Sequence, residues 1–270
     1  MARLLHLENR GVVRLAGPDS RPLLQGLITN DVEKLNHDTA IYAGLLTPQG
    51  KFLFDMIIVA DGGDLLLDIE AARKDDLIRR LMMYRLRADV DIIADPASVW
   101  ALFDGEPTHG VSYPDPRHKS LHWRVISANN PAPAAESLAF VDYEQRRIRH
   151  GVPDGSRDMA VERYFWLETG AEKLNGVSFT KGCFVGQELT ARMKHRMSLK
   201  KQLVAMKADG PTTENSQLQA GDSIITESGK TAGEIRTVAG SYLMAFVRLE
   251  YLGQPLSACG VAVNTISGDT

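Results

Sequence analysis

A chain of 270 residues, 44% apolar and 24% charged, has the make-up of an ordinary globular protein of one large or two smaller domains, and is neither disordered nor collagen-like. Its formal net charge of −3 and pI of about 6.2 give no general attraction to nucleic acid, and no apolar run approaches the ~18 residues of a membrane-spanning helix. Only two cysteines occur, Cys183 and Cys259, far apart and outside any CxxC pair. They argue against a disulfide framework or a self-sufficient zinc site and for a reducing compartment. The start, Met1-Ala2-Arg3-Leu4-Leu5-His6, turns polar by Glu8-Asn9-Arg10 and does not read as a signal peptide, so a cytoplasmic location is expected.

Leu4 to Leu15 reads as a strand region ended by Gly17-Pro18-Asp19. Ser20 to Leu27 reads as a short helix capped by Asp19 or Ser20, with Leu23, Leu24 and Leu27 on one face. After the polar turn Thr29-Asn30-Asp31, Tyr42 to Leu46 is apolar and breaks at Thr47-Pro48-Gln49-Gly50. Phe52 to Ala60 and Leu65 to Ile69 bracket Asp61-Gly62-Gly63-Asp64 as a hairpin. Lys74 to Leu86 carries the clearest helical period, and Val90 to Ile93 is strand-like. The proline-bearing stretch Glu106 to His118 and Asn129 to Ser137 read as loops. Asp142 to His150 reads as a helix stopped by Gly151 and Pro153, and another helix is expected from about Gln187 to Arg196. Beyond Leu199 short alternating runs predict a small antiparallel barrel: 202–206, 222–226, 233–238, 242–249 and 260–266.

The segment with the densest chemistry is Lys181-Gly182-Cys183-Phe184-Val185-Gly186-Gln187-Glu188. Gly182 and Gly186 permit backbone angles or close approaches that a side chain forbids. A helix beginning at Gln187 puts Cys183 ahead of its positive end, where the dipole and Lys181 together would favour the thiolate. Val185, Leu189 and Met193 share one face, Glu188 and Arg192 stand at i,i+4, and Arg192, Lys194, His195 and Arg196 make a basic end. The plainer readings are a buried apolar thiol, glycines of a tight turn and a solvated basic face.

This segment resembles the Lys-Gly-Cys-Tyr/Phe-x-Gly-Gln-Glu signature of the YgfZ-type folate-binding proteins, relatives of the glycine-cleavage T-protein that act in iron–sulfur cluster assembly or repair. The resemblance extends along the chain through Gly17-Pro18-Asp19, Leu24-Gln25-Gly26, Thr29-Asn30-Asp31, Leu45 to Lys51, Tyr143, Arg147-Ile148, Gly151-Val152-Pro153 and Gly176-Val177-Ser178-Phe179. Two departures stand out: Phe184 for the tyrosine of many relatives, and Met197 where many have glycine.

The resemblance implies an α+β cloverleaf with a folate cavity at its centre. Residues 1–197 would form two interleaved α+β subdomains, the second centred on about 41–117, and 198–270 a C-terminal antiparallel β-barrel. It further implies tetrahydrofolate or a one-carbon derivative as cofactor and iron–sulfur client or assembly proteins as partners; from charge and hydropathy, no direct contact with nucleic acid or membrane is expected. Cys183 and Lys181 would carry the chemistry. A flat pterin with an acidic tail needs an N–H-pairing carboxylate or amide, apolar walls and a cation. Glu168 and Trp166 are the candidates for the pterin, Asn30, Asp31, Gln49, Asp55, Gln187 and Glu188 for polar lining, and Arg192 or Lys194 for the tail.

Two activities compete on this reading. One is an accessory factor for iron–sulfur enzymes, including tRNA-methylthiolating ones, that works through Cys183. The other is an aminomethyltransferase. That family has an Asp-Asp pair after its Gly-rich turn, and here Phe54-Asp55 keeps only one of the two, which weakens the electrostatics of the transfer. A binding module in which folate is structural is the third, plainer outcome.

Overall fold

Short branched and leucine-rich runs, punctuated by glycine and proline, build sixteen strands and five α-helices among the residues described, which are 1–36, 38–209 and 218–266 of this computed structural model. In chain order these are β1 (Arg3–His6), β2 (Arg10–Ala16), α1 (Ser20–Gln25), β3 (Ala40–Leu46), β4 (Phe52–Asp61), β5 (Asp64–Glu70), α2 (Lys74–Arg85) and β6 (Asp91–Asp95). Next come β7 (Ser98–Phe103), β8 (Val111–Pro114), β9 (Trp123–Ser127), β10 (Glu136–Ser137), α3 (Phe140–Arg149), α4 (Gly155–Asp158) and α5 (Gln187–Arg196). The remainder holds β11 (Lys201–Ala208), β12 (Ser223–Thr226), β13 (Thr231–Ala239), β14 (Tyr242–Arg248), β15 (Leu256–Ala258) and β16 (Val261–Thr265).

Three sheets result. One has the order β3-β4-β5-β2-β6, a second β10-β1-β7-β9-β8, and the third is a closed barrel, β11-β14-β13-β12-β15-β16. The region read as one strand from Leu4 to Leu15 divides at Leu7, and its halves join different sheets: β1 pairs with β7, while β2 pairs with β5 and β6. That crossing interleaves the first two lobes. The first of these sheets draws its strands from residues 10–95, and the second from 3–6 and 98–137. Val111–Pro114, read as loop because of its prolines, is a strand at the sheet edge, where a missing N–H costs no ladder bond. Gly260 to Ile266, read as one run, follows a tight turn at Cys259-Gly260, both with positive φ, that separates β15 from β16.

Strand β4 is apolar without alternation because both of its faces are covered. Met56 and Ile58 pack with Leu65 and Leu67 on one side, and Ile57 and Val59 with Val12 and Leu66 on the other. The period of two then sends Arg10, Asp55 and Asp68 to that second, central face. Charges so placed need partners, and they find them across the lobes. Arg10 Nε donates to Asp68 Oδ1 at 2.7 Å, and Arg124 of β9 donates to Asp68 Oδ2 at 2.6 Å and to Asp115 at 3.2 Å. Arg117 grips Asp115 with two bonds, at 2.9 and 2.6 Å. Arg147 of α3 does the same to Glu144, at 2.6 and 2.9 Å, and reaches Asp158 at 2.6 Å. Thr237 of the barrel donates its hydroxyl to the same Asp158 at 2.6 Å. A buried ion-pair network therefore bolts both α+β lobes and the barrel together at the centre.

Candidate functional site

The approach to the signature segment is fixed by hydrogen bonds to the α1–β3 connection. Ser178 N–H donates to the Thr29 carbonyl at 3.0 Å, and the Thr29 hydroxyl donates to the Gly176 carbonyl at 2.6 Å. The Lys181 ammonium is then swallowed by the loop after α1. It donates to the carbonyls of Gln25 at 2.8 Å, Ile28 at 2.7 Å and Asn30 at 2.7 Å, in a tripod that suits its three protons. Burial pushes its pKa down to about 8, with Asp31 opposing, so at neutral pH it keeps the charge that serves all three acceptors. Every donor is spent, and none is left for the Cys183 sulfur. The structural use of Lys181 is to hold the loop after α1 against the signature segment.

Downstream, Gly186 caps α5 with φ of 84°, a left-handed conformation that favours glycine. A Cβ there would stand 2.7 Å from the Thr47 carbonyl oxygen and 3.0 Å from Gly50 Cα. Backbone thus packs on backbone: the Thr47-Pro48-Gln49-Gly50 turn closes against the start of α5. Phe184 is buried, with the Lys181 ammonium 5.3 Å from its ring centroid. Between these anchored neighbours Cys183 is exposed, three residues ahead of the cap. A thiol presented to solvent on a segment pinned on both sides can ligate or react without any rearrangement of the fold.

The other expected residues do not converge on it. Gln187 is partly buried at the helix start, while Glu188 and Arg192 are exposed on α5. Asn30 is buried and bonds the carbonyls of Tyr42 and Asn175, and Asp31 accepts from Gln25 Nε2 and caps the turn at Glu33. Gln49 is exposed on its turn. Trp166 has no exposed surface; it stacks on Phe52 and donates to the Gly176 carbonyl. Asp55 is sealed against the Tyr42 hydroxyl, and burial raises its pKa although Arg10 opposes this. Neither Trp166 nor Asp55 offers a surface to a ligand.

Glu168 does. It borders a cavity of ≈ 510 Å³ between the α+β lobes and the barrel, walled by the stacked rings of Tyr164 and Phe246, with Lys200, Lys201 and Arg248 around it. One Glu168 oxygen accepts from Phe165 N–H at 3.0 Å; burial raises the pKa of this carboxyl despite that bond. The sequence reading missed this wall because its rings lie 82 positions apart in the chain and only barrel closure brings them together. It also missed the buried network, although Asp68 within Leu65 to Ile69 and Arg124 beside Val125 and Ile126 are charges on apolar strands, the available signal.

Comparison with known proteins follows the same division. Residues 200–269 match the family model described as the CAF17 C-terminal beta-barrel domain. The chain is 31% identical over 281 residues to the mitochondrial iron–sulfur cluster assembly factor IBA57 of Mus musculus, covering 93% of this chain and 78% of that protein. The Homo sapiens protein of that name gives 31% over 280 residues with the same coverage. Among solved structures, the glycine cleavage system aminomethyltransferase T from Bartonella henselae superposes with a TM-score of 0.75 at 14% identity, covering 98% of this chain and 84% of that one. The α+β cloverleaf with a closed C-terminal barrel is therefore the fold, and at that identity the likeness speaks of fold alone. The relatives' names correct the expected cytoplasmic location, since those proteins are mitochondrial. Scarcity of cysteine, one signal behind that expectation, does not distinguish the cytosol from another reducing space.

Proposed function

We propose a function from one premise: the chain belongs to the family of the iron–sulfur cluster assembly factor IBA57. In this reading the protein is an accessory factor that handles an iron–sulfur cluster as cargo, and Cys183 supplies one ligand during transfer between assembly proteins and client enzymes. The observation that carries it is the exposed Cys183 thiol on a rigidly anchored segment. Clusters are held by cysteine thiolates, usually four, so one exposed thiol calls for a partner that brings the others. Following the YgfZ-type signature, we include tRNA-methylthiolating enzymes among the clients. Cys183→Ala is expected to abolish cluster-dependent tRNA methylthiolation in cells while leaving protein level and melting temperature unchanged. Undiminished activity in that variant would remove Cys183 from the mechanism.

Tetrahydrofolate or a one-carbon derivative belongs to the same proposal, held at the Glu168 cavity rather than around Trp166 and Asp55. Its support is the donor set: a carboxylate for the pterin's N–H edge, the Tyr164 and Phe246 rings as an apolar wall, and Lys200, Lys201 or Arg248 for the acidic tail. Bound there, it would supply a one-carbon carrier. Tetrahydrofolate is expected to raise the melting temperature of the protein, and Glu168→Gln to reduce that shift. No shift at saturating ligand would remove folate from the account.

Aminomethyl transfer is the weaker reading. Phe54 stands in place of a carboxylate, and Asp55 faces the buried centre with its pKa raised.

A further inference from the structure

We propose that the basic half of α5 and the linker after it form a docking surface for an acidic segment of a protein partner, anchored by one apolar side chain in the groove beside Met197. Residues 187–201 hold five lysines and arginines against one acid, in a chain whose overall charge is −3. Lys194 is paired with Glu172 and lies over the Phe179 ring. Arg192, Arg196 and Lys200 are exposed, and among the described residues no acid pairs with any of them. A compact excess of unpaired cations on an acidic protein makes a local field that steers and orients an anionic partner.

The shape decides which anion. Beside these cations runs a groove of ≈ 470 Å³ with Leu167, Met193, Met197 and Leu199 among its lining residues and Lys173 and Lys194 along it, the one acid there, Glu172, being paired with Lys194. Met197 is half exposed, an unbranched thioether that adapts to an aliphatic partner. Single-stranded nucleic acid would ask instead for aromatic faces free to stack on bases; here Phe179 is only partly exposed, with the Lys194 ammonium over its ring and His195 against its edge, and the exposed apolar side chain is Met197. Acidic residues flanking an aliphatic anchor match both halves of the surface. The inference rests on the reading of Cys183 as the transfer point, because the same helix that begins beside the thiol ends in this patch. Docking there would bring a partner's cluster ligands toward Cys183.

The probe is a fluorescently labelled synthetic peptide, rich in glutamate, with two leucines at i,i+4, titrated with the full chain. A version with serines for leucines and a single-stranded RNA serve as controls. The leucine peptide is expected to bind most tightly. Its affinity should fall about tenfold in the double variant Arg196→Glu, Lys200→Glu and severalfold in Met197→Gln, with unchanged thermal melting because these side chains are exposed. Equal binding by the charge-reversed protein, equal binding of the serine peptide, or tighter binding of RNA would each overturn the proposal. Cys183→Ala separates the two readings: the peptide is expected to bind it as it binds the parent protein, whatever becomes of cluster transfer.

Discussion

Replacing Arg124 with methionine is expected to destabilise the protein by about 3–5 kcal/mol, because it takes one of two arginine partners from each of two buried carboxylates, Asp68 and Asp115, and leaves the buried network one positive charge short. Arg124 Nη1 donates to Asp68 at 2.6 Å, Nε to Asp115 at 3.2 Å, and Nη2 to the Tyr143 hydroxyl at 2.9 Å, with all of these groups buried. Methionine fills much of the same volume, so a cavity is not the main loss; the charge-assisted bonds to two buried carboxylates are. Against a typical total stability of about 5–15 kcal/mol, this change alone brings the fold near its threshold. The network also sets the acid limit. Burial would raise the Asp115 pKa, but Arg117 and Arg124 outweigh it and hold the group at about 2; Arg147 and Arg10 do the same for Asp154. Carboxyls depressed below their ordinary value stabilise the fold fully above about pH 4 and lose that contribution as the pH falls toward 2. Asp55, with its raised pKa, works in the opposite sense. Loss of Arg124 should therefore move the onset of acid unfolding upward. Denaturant melts of the two proteins between pH 2 and 7 check both points, and a variant within about 1 kcal/mol of the parent would refute the network's role.

Lys181→Met is expected to cost about 3 kcal/mol, since the carbonyls of Gln25, Ile28 and Asn30 lose their common donor and two of those bonds lie in buried surroundings. Lys181→Arg should rescue little of this. A planar guanidinium presents its protons in a fork, whereas the three carbonyls converge on one point, the geometry of an ammonium. This separates Lys181 from Cys183. Methionine at 181 should lower the melting temperature and lower cluster-dependent activity only in proportion to the folded protein lost. Alanine at 183 should leave melting untouched and remove the activity. Lys181→Met with parental stability and no activity would return the lysine to a chemical role.

What the sequence discloses depends on the range of the interaction. Helix α5 and its start at Gln187 follow from local signals, the preceding glycine and the basic last turn. The barrel follows from short alternating runs with glycine turns. The Asp61–Asp64 hairpin is likewise local. Strand β8 escaped because proline was read as a breaker where the position was an edge, and a strand's neighbours are not visible in its own residues. The site behaves the same way. The cysteine segment was legible as a motif, but the real use of Lys181 depends on carbonyls some 150 residues earlier in the chain. The family resemblance points to Trp166 and Asp55 as ligand contacts, but the structure buries both. Only the packing of Phe52, Tyr42 and Gly176 around them makes both interior.

Alkylation of the thiols, followed by mass spectrometry, tests the exposed, cluster-handling Cys183 most directly. The protein is treated anaerobically with iodoacetamide before and after reconstitution with ferrous iron and sulfide in the presence of a thiol donor, and Cys259 serves as the internal reference. Cys183 is expected to alkylate readily in the untreated protein and to become protected once the cluster is formed, while Cys259 reacts alike in both. Equal labelling of Cys183 in the two states, or no labelling of it in either, would contradict the assignment.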